Sequence, residues 1–251
     1  MGQFFAKDYT GGAFELYGAG HITALVIITF ICLSLLYFRK VWGEKEKKFF
    51  RYFLAIVLVI DELSWHAWAA YWGLWNIRFM LPLHLCSICL WLSVYMLFTR
   101  NYTIYELVYF LGIGGATQAL LTPDASQYGF PHFRAFQTFI GHGLLVIIPI
   151  YMTIVEGYRP TLQSFKRVFI WTNIYMIPVF FLNLALGSNY LFIHYKPNFP
   201  TLLDLLAPWP WYVLELEVVG FAIISLLYIP FLLKDWKAKQ PPLTNLRRDL
   251  R

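Results

Sequence analysis

Seven apolar runs dominate the chain, at roughly 19–38, 50–70, 79–98, 103–121, 135–155, 167–187 and 211–233. A bilayer core of about 30 Å needs some 20 apolar residues per helix, and each run meets or approaches that length. Short polar connectors separate them, with no internal repeat or low-complexity segment. The pattern predicts an all-α polytopic membrane protein of seven transmembrane helices, in one domain over 1–251. The fourth run is expected to be the shortest.

An odd number of crossings puts the two ends on opposite sides, and the basic residues set the direction. Sixteen of the 20 Lys and Arg residues fall in alternate connectors and the C-terminal tail, against four (Lys7, Arg78, Arg134, Lys196) on the other side. The Lys/Arg-rich side is expected to be cytoplasmic. This makes 1–18 an external N-terminal segment and 234–251 a basic cytoplasmic tail. The N-terminus carries no basic head, apolar stretch and small-residue cleavage site in succession, so the first crossing helix is expected to serve as the targeting signal.

Composition agrees, with 59% hydrophobic and 14% charged residues and a mean hydropathy of +0.56. The formal charge of +6 lies in connectors, where it orients the helices and gives no support to a nucleic-acid partner. Cys32, Cys86 and Cys89 do not make a disulfide framework, and Cys86-x-x-Cys89 lacks the second pair that a zinc ribbon requires. The expected setting is the cell membrane, with membrane lipid as partner and no cofactor.

The chemistry lies in polar residues embedded within the apolar runs, since an ionisable group in a membrane is costly and marks a functional candidate. "VIDELSWHAW" places Asp61 and Glu62 near mid-membrane and His66 one turn further out. "LPLHLCSICLWL" brings His84 and Cys86 into the outer turns of the third run. Gln118 sits near the outer end of the fourth, Arg134, Gln137 and His142 in the outer half of the fifth, Asn183 near the end of the sixth, and Glu215 and Glu217 at the start of the seventh. His21 lies near the outer end of the first. The inner stretches "YFLAIVL", "LWLSVYMLF" and "VIIPIYMTIV" contain no ionisable residue. A polar chamber opening outward above an apolar floor is therefore expected, which disfavours a conducting pore.

His142, between Gly141 and Gly143, could act as a general base or bond between helices; an imidazole suits proton transfer near neutral pH. Glu62 and His66, four apart, share a helical face, a spacing that suits a carboxylate orienting an imidazole. Cys86 is a candidate nucleophile or a small apolar filler. His84 lies about 200° from Cys86 around a helix, so a dyad would need a histidine from another helix. Asp61, Gln118, Arg134, Gln137, Asn183 and Glu215 are candidate substrate contacts; His132, Lys196 and Arg78 are basic groups in the outer connectors. No nucleotide loop, nucleophile elbow or metalloprotease motif is present.

The runs "LPLHLCS", "LTPDASQYGFPHFRAFQTFIGHG", "NLALGSNYLFIHYKP" and "LLDLLAPWPWY" together resemble the YwaF-like family of bacterial integral membrane proteins over nearly the whole chain. More distantly, the chain is similar to a eukaryotic seven-helix acyltransferase family acting on ether phospholipids. Through "GHGLLVIIPIY" that family's histidine corresponds to His142. Where the family reads Pro-Cys-His, this chain has Pro82-Leu83-His84. The resemblance thus implies His84 as the second site residue and places Leu83 where the cysteine would be. The expected function is acyl transfer or hydrolysis on a lipid or lipoprotein at the outer leaflet, with His142, His84, Cys86, Glu62 and His66 as the catalytic candidates. A lipid or small-solute binding or transport protein, with kinks at Pro149 and Pro178, is the alternative. A zinc-dependent hydrolase using His66, His84 and His142 is a third.

Overall fold

The computed structural model describes residues 2–123, 127–196 and 202–238. The tail from 239 onward and loop residues 124–126 lie outside the described residues. Among the described residues there are seven apolar helices: α1 (Ala19–Val41), α2 (Glu44–Tyr71), α3 (Leu85–Thr99), α4 (Tyr102–Leu121), α5 (Phe133–Ile154), α6 (Leu162–Leu186) and α7 (Trp211–Ala238). No strand occurs among the described residues. Six helices are long and apolar enough to cross a membrane, and α3 is the shorter one. The chain is therefore an all-helical, multi-pass membrane protein.

The centre is α5, the most enclosed of the candidate spans, surrounded by α1, α2, α3 and α4. Glycines make the close approaches. A Cβ at Gly143 would stand 2.9 Å from Ile28 of α1, and one at Gly141 would stand 2.7 Å from the Asp61 carboxylate of α2. The helices α6 and α7 are peripheral and show most of their length to the surroundings. Both α5 and α6 continue as helices through Pro149 and Pro178.

Helix α3 is shorter than its apolar run. The run begins at 79, but the helix starts at Leu85, with His84 as its extended N-cap. Its 15 residues span about 22 Å. Residues 81–84 are non-helical backbone, and such backbone at membrane depth requires partners from the protein. Two tyrosines supply them: Tyr190 Oη accepts from Leu81 N at 2.9 Å, and Tyr175 Oη donates to Leu83 O at 3.0 Å. The fourth span, expected to be the shortest, is a full 20 residues. It is continuous but carries a π-helical stretch at Val108–Gly112.

The basic end of the bundle is not the apolar floor that the sequence suggests. Two carboxylates are buried there. Glu156 accepts from Tyr151 Oη at 2.9 Å and Arg100 at 2.8 Å, and pairs with Arg51 at 3.4 Å. Glu106 accepts from Ser164 Oγ at 2.6 Å and takes both Nε and NH2 of Arg167. These acids pair with basic residues that would otherwise be uncompensated in the same connectors.

Glu156 is 2% exposed at its side chain, and Arg51 9%. Removing one member of a buried pair leaves the other charge unpaired, at a cost of about 3–5 kcal/mol. Glu156→Ala should lower unfolding stability in detergent by that order, and Glu156→Ala combined with Arg51→Met should recover much of it. Equal losses in the single and double variants would show that the pair is not the source.

Candidate functional site

Five of the predicted site residues meet where α2 packs on α5. Asp61 Oδ2 accepts from Gln137 Nε2 at 3.0 Å, and Gln137 Oε1 in turn accepts from the Arg134 guanidinium. That guanidinium lies 3.5 Å from the centre of the Trp65 ring, a stacking geometry that favours a cation on the aromatic face. One residue along α2, Glu62 Oε1 lies 3.4 Å from His66 Nε2. The other ring nitrogen, Nδ1, accepts from the Trp75 indole at 2.9 Å. Since an indole N–H only donates, His66 carries its proton on Nε2, facing the carboxylate. Asp61 and Glu62 are buried, and Arg134 is within electrostatic reach of both.

His142 lies deeper along α5, half-buried. Its Nδ1 is 2.8 Å from Thr138 O. A backbone carbonyl only accepts, so Nδ1 carries the proton and Nε2 the lone pair. No hydrogen bond to that Nε2 is formed among the described residues. Two other histidines differ. His21 accepts from Tyr17 N at 2.9 Å and donates to Leu120 O at 2.8 Å, joining α1 to α4. His132 accepts from Arg134 N at 3.1 Å and donates to Ala6 O at 3.0 Å. Both nitrogens of each are engaged in structure.

The remaining candidates lie apart from this cluster. His84 caps α3 with its ring against Tyr190 and Phe192. The Cys86 thiol faces α4, 3.4 Å from where a Gly115 Cβ would be, with no hydrogen bond among the described residues. Gln118 bonds back to Gly114 O of its own helix. Asn183 is fully used in folding the loop after α6: its amide donates to Tyr190 O, and its Oδ1 accepts from Tyr190 N and Ser188 Oγ. Glu215 accepts from Ala207 N, and Lys196 donates to Leu206 O. The candidates expected in a single chamber thus fall into separate clusters among the described residues, with the α2–α5 group the largest. Among the described residues no three His, Cys, Asp or Glu side chains are placed to hold a metal. His66, His84 and His142 do not form one ligand set, which overturns the zinc reading.

Sequence reasoning missed the N-terminal segment, which folds over this end of α2 and α5. Both Trp68 and Trp72 indoles donate to Phe5 O at 2.9 Å, and Tyr128 Oη donates to Lys7 O at 3.1 Å. Phe4 and Phe5 pack on Phe133. Nothing in "MGQFFAKDYTGG" signals this docking, because its partners are backbone carbonyls. Trp65 and Trp75 were also missed as partners of Arg134 and His66; Trp65 lies at i+4 from Asp61, the one available hint.

A family model described as the TMEM164 family matches residues 16–228. No curated protein and no solved structure matches the chain.

Two outcomes follow from this geometry. Gly141→Ala drives a Cβ into the Asp61 carboxylate and should cost about 1–3 kcal/mol in detergent unfolding, whereas Gly220→Ala, with open space around it, should stay within about 0.5 kcal/mol. Burial also holds the His132 imidazole below its usual value. The folded state therefore takes up its proton less readily than the unfolded one, and stability falls as pH drops below about 6.5. Hydrogen exchange of residues 3–10, corrected for intrinsic pH dependence, should accelerate between pH 7 and 5, and His132→Gln should flatten that dependence.

Proposed function

The chain belongs to the TMEM164 family, and from the tautomer and unpartnered nitrogen of His142 we propose that it is a membrane-embedded enzyme transferring or hydrolysing a lipid acyl group. The carrying observation is the His142 Nε2 lone pair. Thr138 O fixes the proton on Nδ1, and this is the state a general base needs. Among the histidines that bridge structural elements, His21 and His132 have no nitrogen to spare.

In this reading His142 Nε2 takes the proton of a hydroxyl, either water or the alcohol of an acceptor lipid. The oxygen bonds to the ester carbonyl carbon, the bond to the donor alcohol breaks, and the departing alkoxide recovers the proton. Arg134, held by Gln137 and stacked on Trp65, supplies a cation for a headgroup phosphate. Glu62 and Trp75 together hold His66 in one tautomer, with its proton facing the carboxylate, as a second acid–base group. The Cys86 thiol has no imidazole partner, so the geometry favours direct attack by oxygen over a covalent acyl-enzyme. The basic-residue bias supports a site toward the outer leaflet.

The alternative is lipid binding without chemistry, supported by an apolar gap between α6 and α7. The two readings separate in vesicles containing phospholipid with a labelled acyl chain. Labelled free acid or a new acyl lipid should form, and His142→Ala should slow its formation at least ~100-fold, while Cys86→Ser should leave it essentially unchanged. Turnover that survives His142→Ala removes the assigned base. Loss of turnover in Cys86→Ser alone would instead point to a thiol intermediate.

A further inference from the structure

Between α6 and α7 lies a gap of ≈ 530 Å³. Its walls are apolar, formed by Met176, Ile177 and Phe180 of α6 and by Trp211, Val213 and Leu214 of α7. Along α6 it runs from Asn173 to Phe181, about 12 Å at the helical rise. Both helices belong to the candidate membrane spans, so the gap opens to the bilayer interior.

The gap is tied at both ends. At the deep end Asn173 Nδ2 donates to Glu217 Oε2 at 3.2 Å, bridging the helices. At the loop end the Trp209 indole donates to Ile193 O at 3.2 Å, and Tyr212 Oη bonds to Phe192 O. These ties fix the spacing, so the walls do not close on each other. A hydrocarbon-lined space of this size offers water too few polar partners. Its filling comes from the surrounding medium, which is lipid. A neighbouring helix is too wide, since a cylinder about 10 Å across displaces on the order of 400 Å³ per turn, and little more than one turn would enter.

We propose that this gap is a resident site for one acyl chain of a membrane phospholipid, distinct from the α2–α5 cluster. The chain lies along α6, Trp209 and Trp211 meet the headgroup level, and the Asn173–Glu217 pair marks the lower limit. The site stands independently of any catalytic role for His142, since its evidence is the shape and lining of a different pair of helices.

The test uses the full-length protein in vesicles containing a phospholipid with a photoreactive group in its acyl chain, followed by peptide mapping. Adducts should concentrate on 173–181 and 211–214, several-fold above those on the exposed α1 face at Ile27, Phe30 and Leu33. Leu214→Trp, which fills the gap, should reduce groove labelling to the α1 level. Because that variant could fold poorly, Ile177→Phe is a second filling change. Phospholipid retained by the unaltered protein after detergent exchange, counted by mass spectrometry, should be about one per chain. Groove labelling no higher than α1, labelling unchanged in a folded filling variant, or no retained lipid would each overturn the proposal. None of these readouts depends on turnover, so loss of the enzymatic reading leaves them intact.

Discussion

Every departure from regular helix in this protein has to be satisfied from within, because hydrocarbon offers no hydrogen bonds to backbone or side chain. The turn before α3 exists because two tyrosine hydroxyls meet Leu81 N and Leu83 O. The loop after α6 contains Leu191 and Phe192 at positive φ, an unfavourable conformation for side chains that carry a Cβ. It is held by Asn183, whose amide bonds to both backbone groups of Tyr190. Buried carboxylates follow the same constraint: each has been paired with an amide, a hydroxyl, a histidine or an arginine. Gln118, Asn183 and Glu215, which look functional in the sequence, make bonds of this kind.

Much of the architecture is legible because transmembrane helices announce themselves by run length alone. The runs at 19–38 and 211–233 lie within α1 and α7. Hydropathy fails at 79–84, since those residues are as apolar as a helix but Pro82 and a distant Tyr190 decide otherwise. It fails again at Glu106 and Glu156, whose partners Arg167, Arg51 and Arg100 lie far away along the chain.

The same division holds for the site. Glu62 and His66 are readable as a pair because four residues return the helix to one face. Asp61 and Gln137 are 76 apart, and no local pattern reveals that Gly141 lets them meet. Likewise, the flanking glycines singled out His142, but the carbonyl that sets its tautomer is visible only in three dimensions. Histidine identity alone does not separate a base from a strut: His21 and His132 use both nitrogens in bonds to other elements, whereas His142 uses one.

The short α3 has a further implication for the medium around it. At about 22 Å against a hydrocarbon thickness near 30 Å, it is several ångströms too brief for an undistorted bilayer, while Tyr95 and Phe98 on its surface remain uncovered. The remainder of this crossing falls to the non-helical backbone of 81–84, whose hydrogen bonds come from Tyr190 and Tyr175, so the outer rim beside α3 is built of polar main chain and two phenols where its neighbours present continuous helix.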